Sequence, residues 1–214
     1  MTVSGRKRLS RSKCRIEAVS TDLSGAFISA VREHLPDATL VFDHFHVVKL
    51  ANDALDKVRI ETYKRLDTKE KSSAIKGLRW VLLGNGELMK SESAAERLEK
   101  ALEVNADLAK SYYLKEELRR VWNQTDKEHA ATILHNWVVK ARGSGIGHMK
   151  RFADTIEQHM EEIPAYYDYR ISSGKVEGIN NKIKTIKRQA FGFRDDDYFK
   201  LRILSIHDDI YAKL

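Results

Sequence analysis

Cysteine, proline and long apolar runs are scarce in this sequence. Cys14 is the only cysteine, so an intrachain disulfide and a cysteine-rich zinc module are both excluded. The only prolines are Pro36 and Pro164, and this scarcity favours a helix-rich globular protein. No apolar run approaches the roughly 20 residues that cross a bilayer, and the N-terminus lacks the apolar segment of a secretory signal. We therefore expect a soluble, cytoplasmic protein with no membrane partner.

Positive charge is what the composition has in excess. The 214 residues carry a formal net charge of +7, and 42% of them are hydrophobic, which is enough for a folded core. Six lysines and arginines lie in residues 6–15 without an acid, and six more lie in residues 175–194 with Glu177 as the only acid. This distribution favours a polyanionic partner. Residues 1–15 are predicted to be either a solvated tail or an arm that contacts nucleic acid.

A strand, a helix and a second strand are predicted near the N-terminus. Residues 16–21 alternate as a short strand does, residues 26–35 have a helical apolar period, and residues 38–42 form a continuous apolar run. A crossover of this length joins parallel strands in a right-handed βαβ unit. Asp22 and Asp43 directly follow the two strands, so both are expected at the carboxyl edge of the sheet, where functional groups collect.

Structural interpretations of these polar residues stay open. Asp22 can instead cap the helix that follows it. His44 and His46, on either side of Phe45, can be ordinary structural histidines.

Helices are predicted for nearly all of the remaining chain. A long amphipathic helix over residues 47–66 has six candidate core residues: Leu50, Ala51, Leu55, Val58, Ile60 and Tyr63. Further helical periods cover residues 75–83, 91–102, 108–122, 127–142 and 148–163, and the three tryptophans in this block are predicted to be core aromatics. Asp195, Asp196 and Asp197 are predicted to cap a last helix with an apolar stripe of Phe199, Leu201, Ile203 and Ile206.

The segment around Glu177 sorts into two faces when it is placed on a helix. Glu177, Asn180, Asn181, Lys184 and Arg188 share one side, and a stripe expected to face the core lies opposite, made of Val176, Ile179, Ile183, Ile186 and Ala190. One interpretation is a solvated face with a capping glutamate. The other is a metal-ligand glutamate on a helix that follows a phosphate backbone.

Taken together, Asp22, Asp43 and Glu177 suggest phosphoryl-transfer chemistry. Mg²⁺ prefers oxygen ligands, and two such ions can activate an attacking oxygen and stabilise a leaving one. Carboxylates from separate strands and one helix are what such a site requires.

Three segments carry a resemblance to a known family. They are VSTDLSGAF, LPDATLVFDHFHVVKLANDALDKVR and SSGKVEGINNKIKTIKRQAFGFRDDDYFKLRI. In this order they resemble the catalytic region of bacterial insertion-sequence transposases of the ISL3 group, which have a DDE, RNase H-like core. The resemblance covers nearly everything from Glu17 to the C-terminus.

The resemblance implies roles for individual residues. Asp22 and Glu177 match catalytic, metal-ligating positions, with Mg²⁺ or Mn²⁺ as the cofactor of the full-length family. Asp43 and His46 match the D-x-F-H motif, where a structural or DNA-strand-handling role is usual. The predicted DNA-binding residues are Asn180, Asn181, Lys182, Lys184, Lys187 and Arg188.

An α+β, mostly helical fold in four parts is implied. Residues 1–15 are a basic flexible lead-in, residues 16–66 a partial RNase H-like βαβ unit plus a long helix, residues 67–164 an all-helical insertion domain, and residues 165–214 the returning helices of the core. The family's first catalytic aspartate lies upstream of the V-S-x-D motif, and no aspartate precedes Asp22 here. We therefore expect the C-terminal part of a DDE transposase, inactive or nearly so by itself.

Three functions remain in competition. The first is metal-dependent phosphodiester cleavage and strand transfer in DNA transposition, in the bacterial cytoplasm and associated with the nucleoid. The second is a non-catalytic module that binds transposon ends or assembles with full-length transposase or with itself. The third is a decayed transposase fragment.

Overall fold

The computed structural model describes residues 15–66 and 69–211, and at residues 70–72, 175 and 206–211 it describes the backbone alone. Most of the predicted basic lead-in, together with Cys14, lies outside the described residues. The chain divides into two compact units, Met1–Ile171 and Ser172–Leu214. The described residues are mostly helical with one small parallel sheet, which confirms the predicted α+β class.

The predicted strand–helix–strand unit is present. Strand β1 (Ala18–Thr21) pairs in parallel with strand β2 (Thr39–Phe42), and helix α1 (Gly25–His34) connects them. Both strands begin later than the sequence suggested, although the N–H of Thr39 still donates to the carbonyl of Glu17 (2.8 Å). The paired register runs from Ala18 opposite Thr39 to Thr21 opposite Phe42.

The two sides of this sheet are in different surroundings. The Phe42 N–H donates to the carbonyl of Glu162 (3.4 Å), and the Glu162 carboxylate pairs with Arg32 of α1 (2.9 Å). Leu40, Val41 and Phe42 are buried, whereas all four residues of β1 are half-buried. The segment around Glu162 therefore covers the outer side of β2.

Helix α2 (His44–Arg65) begins three residues earlier than predicted because Asp43 caps it. Of its six predicted core residues, Ala51, Leu55 and Val58 are buried and Leu50 is partly buried, but Ile60 and Tyr63 are exposed, so those two assignments are wrong. The buried positions that the prediction missed are Val47, Ala54 and Thr62. They continue the spacing of Ala51, Leu55 and Val58, whereas Ile60 and Tyr63 belong to a neighbouring stripe.

The helices that follow are α3 (Lys69–Ile75), α4 (Arg79–Leu83), α5 (Glu92–Val104), α6 (Ala106–Arg119), α7 (Lys127–Gly143), α8 (Gly147–Glu157) and α9 (Tyr166–Tyr169), with 3₁₀ turns at Gly86–Leu88 and Arg120–Asn123. The single helix predicted over residues 75–83 is wrong, because the chain turns at Gly77 with φ of 76°. The helix predicted to reach residue 163 ends at Glu157.

One buried cluster connects the sheet with the helical block. It extends from Ile28 in α1 through α2 and α6 to α8, and it includes Ile163 in the loop that follows α8. The helical block therefore shares its core with the βαβ unit. The four-part division of the chain stays a prediction.

The three tryptophans have different surroundings. Trp137 is 1% exposed and its indole N–H donates to the carbonyl of Leu114 (2.7 Å), while Trp122 is partly buried. Trp80 is 77% exposed, with the Arg79 guanidinium 5.3 Å from its ring centre, so its assignment to the core is wrong.

A buried lysine joins α6 to the end of α4. Lys115 is 1% exposed, and its ammonium donates to the carbonyls of Leu82 (2.9 Å) and Gly84 (2.6 Å) and pairs with Glu116. Burial lowers the pKa of Lys115 and raises the pKa of Tyr112, whose ring lies 4.5 Å from the ammonium, to about 12.

The second unit contains helices α10 (Gly174–Gln189) and α11 (Asp196–Tyr211). Between them the backbone turns with positive φ at Phe191 (52°) and Gly192 (96°). The Asp195 carboxylate accepts hydrogen bonds from the N–H groups of Asp197 (2.9 Å) and Tyr198 (3.0 Å), which confirms the predicted cap.

The apolar stripes of this unit are less buried than predicted. Val176 is 59% exposed and Ile179 is 39% exposed, while Ile183 and Ile186 are half-buried. In α11 Phe199 stacks on Phe193 with ring centres 4.6 Å apart, but Leu201 is exposed. The predicted core-facing role is therefore wrong for Val176, Ile179, Ala190 and Leu201, and the side chain of Ile206 lies outside the description.

Candidate active site

Asp22 lies at the first position after β1. Its Oδ1 accepts a hydrogen bond from the N–H of Ser24 (3.1 Å), and Ser24, not Asp22, occupies the N-cap position of α1. The alternative that Asp22 caps the helix is therefore wrong. Asp22 is half-buried, and the hydrogen bond from Ser24 to Oδ1 orients its side chain.

Asp43 holds the corresponding position after β2. It is 2% exposed, and its Oδ1 accepts from the N–H of Phe45 (2.9 Å) as the N-cap of α2. Because Thr21 and Phe42 are register partners, Asp22 and Asp43 follow at the same edge of the sheet. This confirms the location expected for the two aspartates. Their chemical roles stay predictions.

The two histidines of the D-x-F-H motif differ in exposure. His44 is half-exposed and its Nδ1 lies 3.6 Å from Oδ1 of Asp43. His46 is partly buried, with its ring 5.9 Å from the ring of Phe45. His44 therefore lies at the surface beside the sheet edge, while His46 packs inward along α2.

Glu177 lies in the first turn of α10, where a carboxylate suits the helix dipole. Its N–H donates to the carbonyl of Ser173 (2.9 Å), and its side chain is half-buried. The continuous helix over Gly174–Gln189 confirms the local structure on which the two-face prediction rests.

The predicted DNA-binding residues of α10 are exposed. At about 100° per residue, Lys184 and Arg188 lie within about 20° of Glu177, while Lys182 lies about 140° away. Lys184, Lys187 and Arg188 line a shallow depression of about 550 Å³ with Phe191 and Gly192. We call Lys184, Lys187 and Arg188 the basic ridge.

The donor atoms at the sheet edge suit a hard cation in type. Carboxylate oxygens are the ligands that Mg²⁺ prefers, and Asp22 and Asp43 both lie at this edge, with Asp22 half-buried and Asp43 buried. Among the side chains that the structure describes, no group of three or more His, Cys, Asp or Glu is arranged to bind a metal ion. The helices of residues 15–66 and 69–211 include none that is long and apolar enough to cross a membrane.

Sequence reasoning missed one group of residues beside this edge. Trp122 and Tyr166 flank His44, with ring centres 6.0 and 6.2 Å from the histidine ring. The sequence predicts Trp122 only as a core aromatic, and it assigns no role to Tyr166. The position of Trp122 beside Asn123 and Gln124 in a polar turn is the signal that could have marked it, and no local signal marks Tyr166.

Comparisons with known proteins agree on one family. A sequence model of the ISL3 group, described as transposase, matches residues 4–203. The chain is 36% identical over 191 residues to the transposase for insertion sequence element IS1001 of Bordetella parapertussis, which covers 88% of this chain and 47% of that protein. It is 30% identical over 202 residues to the transposase for insertion sequence element IS1557 of Mycobacterium tuberculosis, covering 84% of this chain and 45% of that protein.

The chain thus spans about half the length of the curated relatives it matches. No solved structure matches it. The family match over nearly the whole chain, with the aspartates at the sheet edge and the glutamate helix in family order, shows that this chain belongs to the ISL3 group of DDE transposases.

Proposed function

We propose that this chain acts in DNA transposition as the catalytic region of a DDE transposase, which cleaves phosphodiesters and transfers strands at transposon ends. The observation that carries the proposal is the placement of Asp22 beside Asp43 at the carboxyl edge of two parallel strands. The βαβ unit also supports an RNase H-like core.

Asp22 and Glu177 are the proposed catalytic residues and metal ligands. When bound, Mg²⁺ or Mn²⁺ supplies activation of the attacking oxygen and stabilisation of the leaving oxygen. The Ser24 N–H orients the Asp22 carboxylate, and Asp43 fixes the start of α2 through its cap. The chain is expected to be inactive or nearly so by itself, because no aspartate precedes Asp22 to match the family's first catalytic position.

Metal titration tests this assignment. Isothermal titration with Mg²⁺ and with Mn²⁺ would compare the chain with Asp22→Asn, Glu177→Gln and a control, Glu161→Gln, at an exposed glutamate of the first unit. Saturable binding that Asp22→Asn and Glu177→Gln each abolish and Glu161→Gln retains would support both residues as metal ligands. Binding that survives in the Glu177→Gln variant would remove Glu177 from the site. If the unaltered chain binds neither ion, Asp22 and Glu177 do not form a metal site in this chain by itself.

A DNA-nicking assay tests the expectation that the chain is inactive by itself. Supercoiled plasmid incubated with the purified chain and Mn²⁺ is expected to stay intact. Nicking that disappears in the Glu177→Gln variant would show that the chain suffices for cleavage.

The exposed basic ridge favours a second candidate function, a non-catalytic module that binds transposon-end DNA or assembles with a longer transposase or with itself. Phosphate contacts predict sequence-indifferent affinity that falls steeply with salt. Each phosphate contact that is lost reduces the slope of log K against log salt by about 0.9.

Fluorescence anisotropy of labelled duplex DNA tests this module. We expect Lys184→Gln and Arg188→Gln each to reduce the salt slope. Lys110→Gln, the same charge change at an exposed lysine of the first unit, is the matched control and should leave the slope unchanged. Absence of binding at about 50 mM salt, where such contacts are strongest, would rule out this function.

A further inference from the structure

A groove of about 1100 Å³ lies between α5 and α6, and the start of the 3₁₀ turn Gly86–Leu88 also contributes to its wall. All of its lining residues belong to the first unit. Small-molecule sites typically enclose about 300–1,000 Å³, so this groove lies at the top of that range. Its size therefore suits a segment of another protein.

Apolar side chains form the less exposed part of the groove. They are the buried Leu98 and Tyr112 and the half-buried Met89, Leu102 and Ala109. Tyr113 extends this surface outwards, because its ring is exposed and its centre lies 5.6 Å from that of Tyr112. Tyrosine and methionine adapt well to the side chains of a partner. The groove can therefore bury apolar side chains that come from outside.

Negative charge is in excess around this apolar surface. Five glutamates contribute to the lining: Glu87, Glu99, Glu103, Glu116 and Glu117. Glu116 pairs with Lys115 and Arg119, and Glu117 pairs with Lys140. Glu99 and Glu103 are exposed and have no ion pair among the described residues. They lie one turn apart on α5, where like charges destabilise a helix, and a cation bound between them would remove that repulsion.

The charge of the groove is opposite in sign to that of the whole chain, which carries +7. Arg120 is the one cation among the described residues of the lining. Carboxylates without a paired cation repel a phosphate backbone and attract lysine and arginine. The groove therefore suits a cationic partner and not the DNA that the basic ridge would bind.

A tyrosine hydroxyl in the wall lacks a partner as well. Tyr112 is 6% exposed, and its hydroxyl makes no hydrogen bond among the described residues but retains accessible surface. A Cβ atom at Gly86 would lie 2.5 Å from this hydroxyl and 3.6 Å from Oε2 of Glu116, so the two oxygens face the same wall. Buried hydroxyls are normally hydrogen-bonded. The N–H of a lysine or arginine would supply the missing donor.

We propose that this groove binds a cationic amphipathic helix of a partner protein. Apolar side chains of that helix pack on Leu98, Leu102 and Tyr112. Its lysines or arginines pair with Glu99 and Glu103, in the manner of other helices that bind in a groove. The inference goes beyond the proposed DNA function and does not depend on it, because the groove belongs to the helical block and has the opposite charge to the basic ridge.

Two labelled peptides test this proposal by fluorescence anisotropy with the full chain. Both consist of equal numbers of leucine and lysine. In the first peptide the leucines follow the spacing i, i+3, i+4 and i+7 and form one face, and in the second they are distributed around the helix. We expect the first peptide to bind at least about tenfold more tightly, because only it presents an apolar face to the groove. Its affinity should fall as salt screens the exposed glutamates.

Charge variants test the role of the glutamates. Glu99→Gln together with Glu103→Gln should weaken binding of the first peptide at least about threefold. Glu92→Gln together with Glu96→Gln is the matched control, because these two exposed glutamates have the same spacing on α5 but lie outside the lining. This control should leave the affinity unchanged.

A tyrosine variant tests the apolar surface independently of the charges. Tyr113→Ala, at an exposed ring, should weaken binding of the first peptide at least about fivefold. Tyr63→Ala, at an exposed tyrosine of α2, is the matched control and should not change it. Circular dichroism checks that each variant keeps the helical content of the unaltered chain.

The outcomes that would overturn the groove are separate from those of the DNA assays. Absence of binding by either peptide, or equal affinity for both peptides, would refute an amphipathic helix as the ligand. Affinity that survives both the double glutamate variant and Tyr113→Ala would place the peptide elsewhere. A dimer in sedimentation velocity that the double glutamate variant dissociates would show that a second copy fills the groove, and it would overturn the proposal of a separate partner.

Discussion

The backbone N–H of Asp43 donates a hydrogen bond to the carbonyl oxygen of Thr21, at 3.3 Å. This bond continues the pairing of the two strands by one residue beyond Phe42. Since Asp22 directly follows Thr21, the bond keeps the two aspartates at the same edge. Their proximity is thus set by the backbone and does not depend on either carboxylate.

Asp43 and Asp22 are expected to differ in their effect on stability. Asp43→Ala removes a buried cap of α2 and should lower the free energy of unfolding by about 1–2 kcal/mol. Asp22→Asn retains the acceptor for Ser24 and should change it by less than about 0.5 kcal/mol. Urea denaturation followed by circular dichroism measures both. Equal losses in the two variants would contradict the capping role of Asp43.

Lys115 is expected to stabilise the first unit in spite of its burial. Lys115→Met keeps most of the side-chain volume but leaves the carbonyls of Leu82 and Gly84 without their donor and Glu116 without the nearer of its two cations. Each unsatisfied buried group costs about 1–3 kcal/mol, so a loss of about 2–5 kcal/mol is expected.

Lys110→Met, at an exposed position of the same helix, is the matched control for Lys115→Met. It should change the free energy of unfolding by less than about 0.5 kcal/mol. If the two variants have the same midpoint of urea unfolding, the buried ammonium contributes nothing to stability.

The cap of α7 predicts a specific pH dependence. The His129 N–H and ring hydrogen-bond to Asp126, which lowers the pKa of Asp126 to about 2 and raises the pKa of His129. Because the Asp126 pKa is depressed on folding, its contribution is present above the ordinary aspartate pKa and is lost as the pH falls towards 2. His129 also stabilises the fold, but its pH dependence runs in the opposite direction. Its contribution is present at low pH and is lost as the pH rises through the raised pKa.

Asp126→Asn should therefore have its largest effect on the melting temperature in mildly acidic solution. The difference from the unaltered chain should disappear near pH 2 and shrink again at alkaline pH. The variant keeps an acceptor for the His129 N–H, whereas Asp126→Ala removes the cap and should be less stable at every pH. Thermal melts from pH 2 to pH 9 measure this, and a pH-independent difference for Asp126→Asn would refute the ion-pair assignment.

The tryptophans should respond to truncation according to their burial. Trp137→Ala leaves a cavity in the core and removes the hydrogen-bond donor of the Leu114 carbonyl. We expect it to lower the free energy of unfolding by about 3–5 kcal/mol. Trp80→Ala should cost less than about 0.5 kcal/mol. A large loss for Trp80→Ala in chemical denaturation would show that its exposed position is incorrect.

Local patterns in the sequence predicted the sheet edge well. The apolar run before Asp43 and the alternation before Asp22 depend on period and length, which the residues carry themselves. The cap by Asp195 was also predictable, because its chemistry is confined to neighbouring positions.

Features that depend on distant partners were not predictable. Ile60 and Trp80 look like core residues, but which stripe of a helix is buried depends on the elements that pack against it. The burial of Lys115 depends on carbonyls about 30 positions earlier in the chain, at the end of α4. The grouping of His44, Trp122 and Tyr166 requires three segments of the chain to converge, and no single segment indicates it.

The hydrogen bond from Phe42 to Glu162 has a consequence for how the sheet can widen. The segment around Glu162 covers the outer side of β2. Within the part of the chain that the structure describes, a third strand can therefore pair only with the outer side of β1. Such a strand would use the outward backbone groups of Ala18 and Ser20. If this strand ran parallel to β1, its carboxyl end would lie next to Asp22. A residue directly after that strand would then lie beside Asp22 on the side opposite to β2 and Asp43.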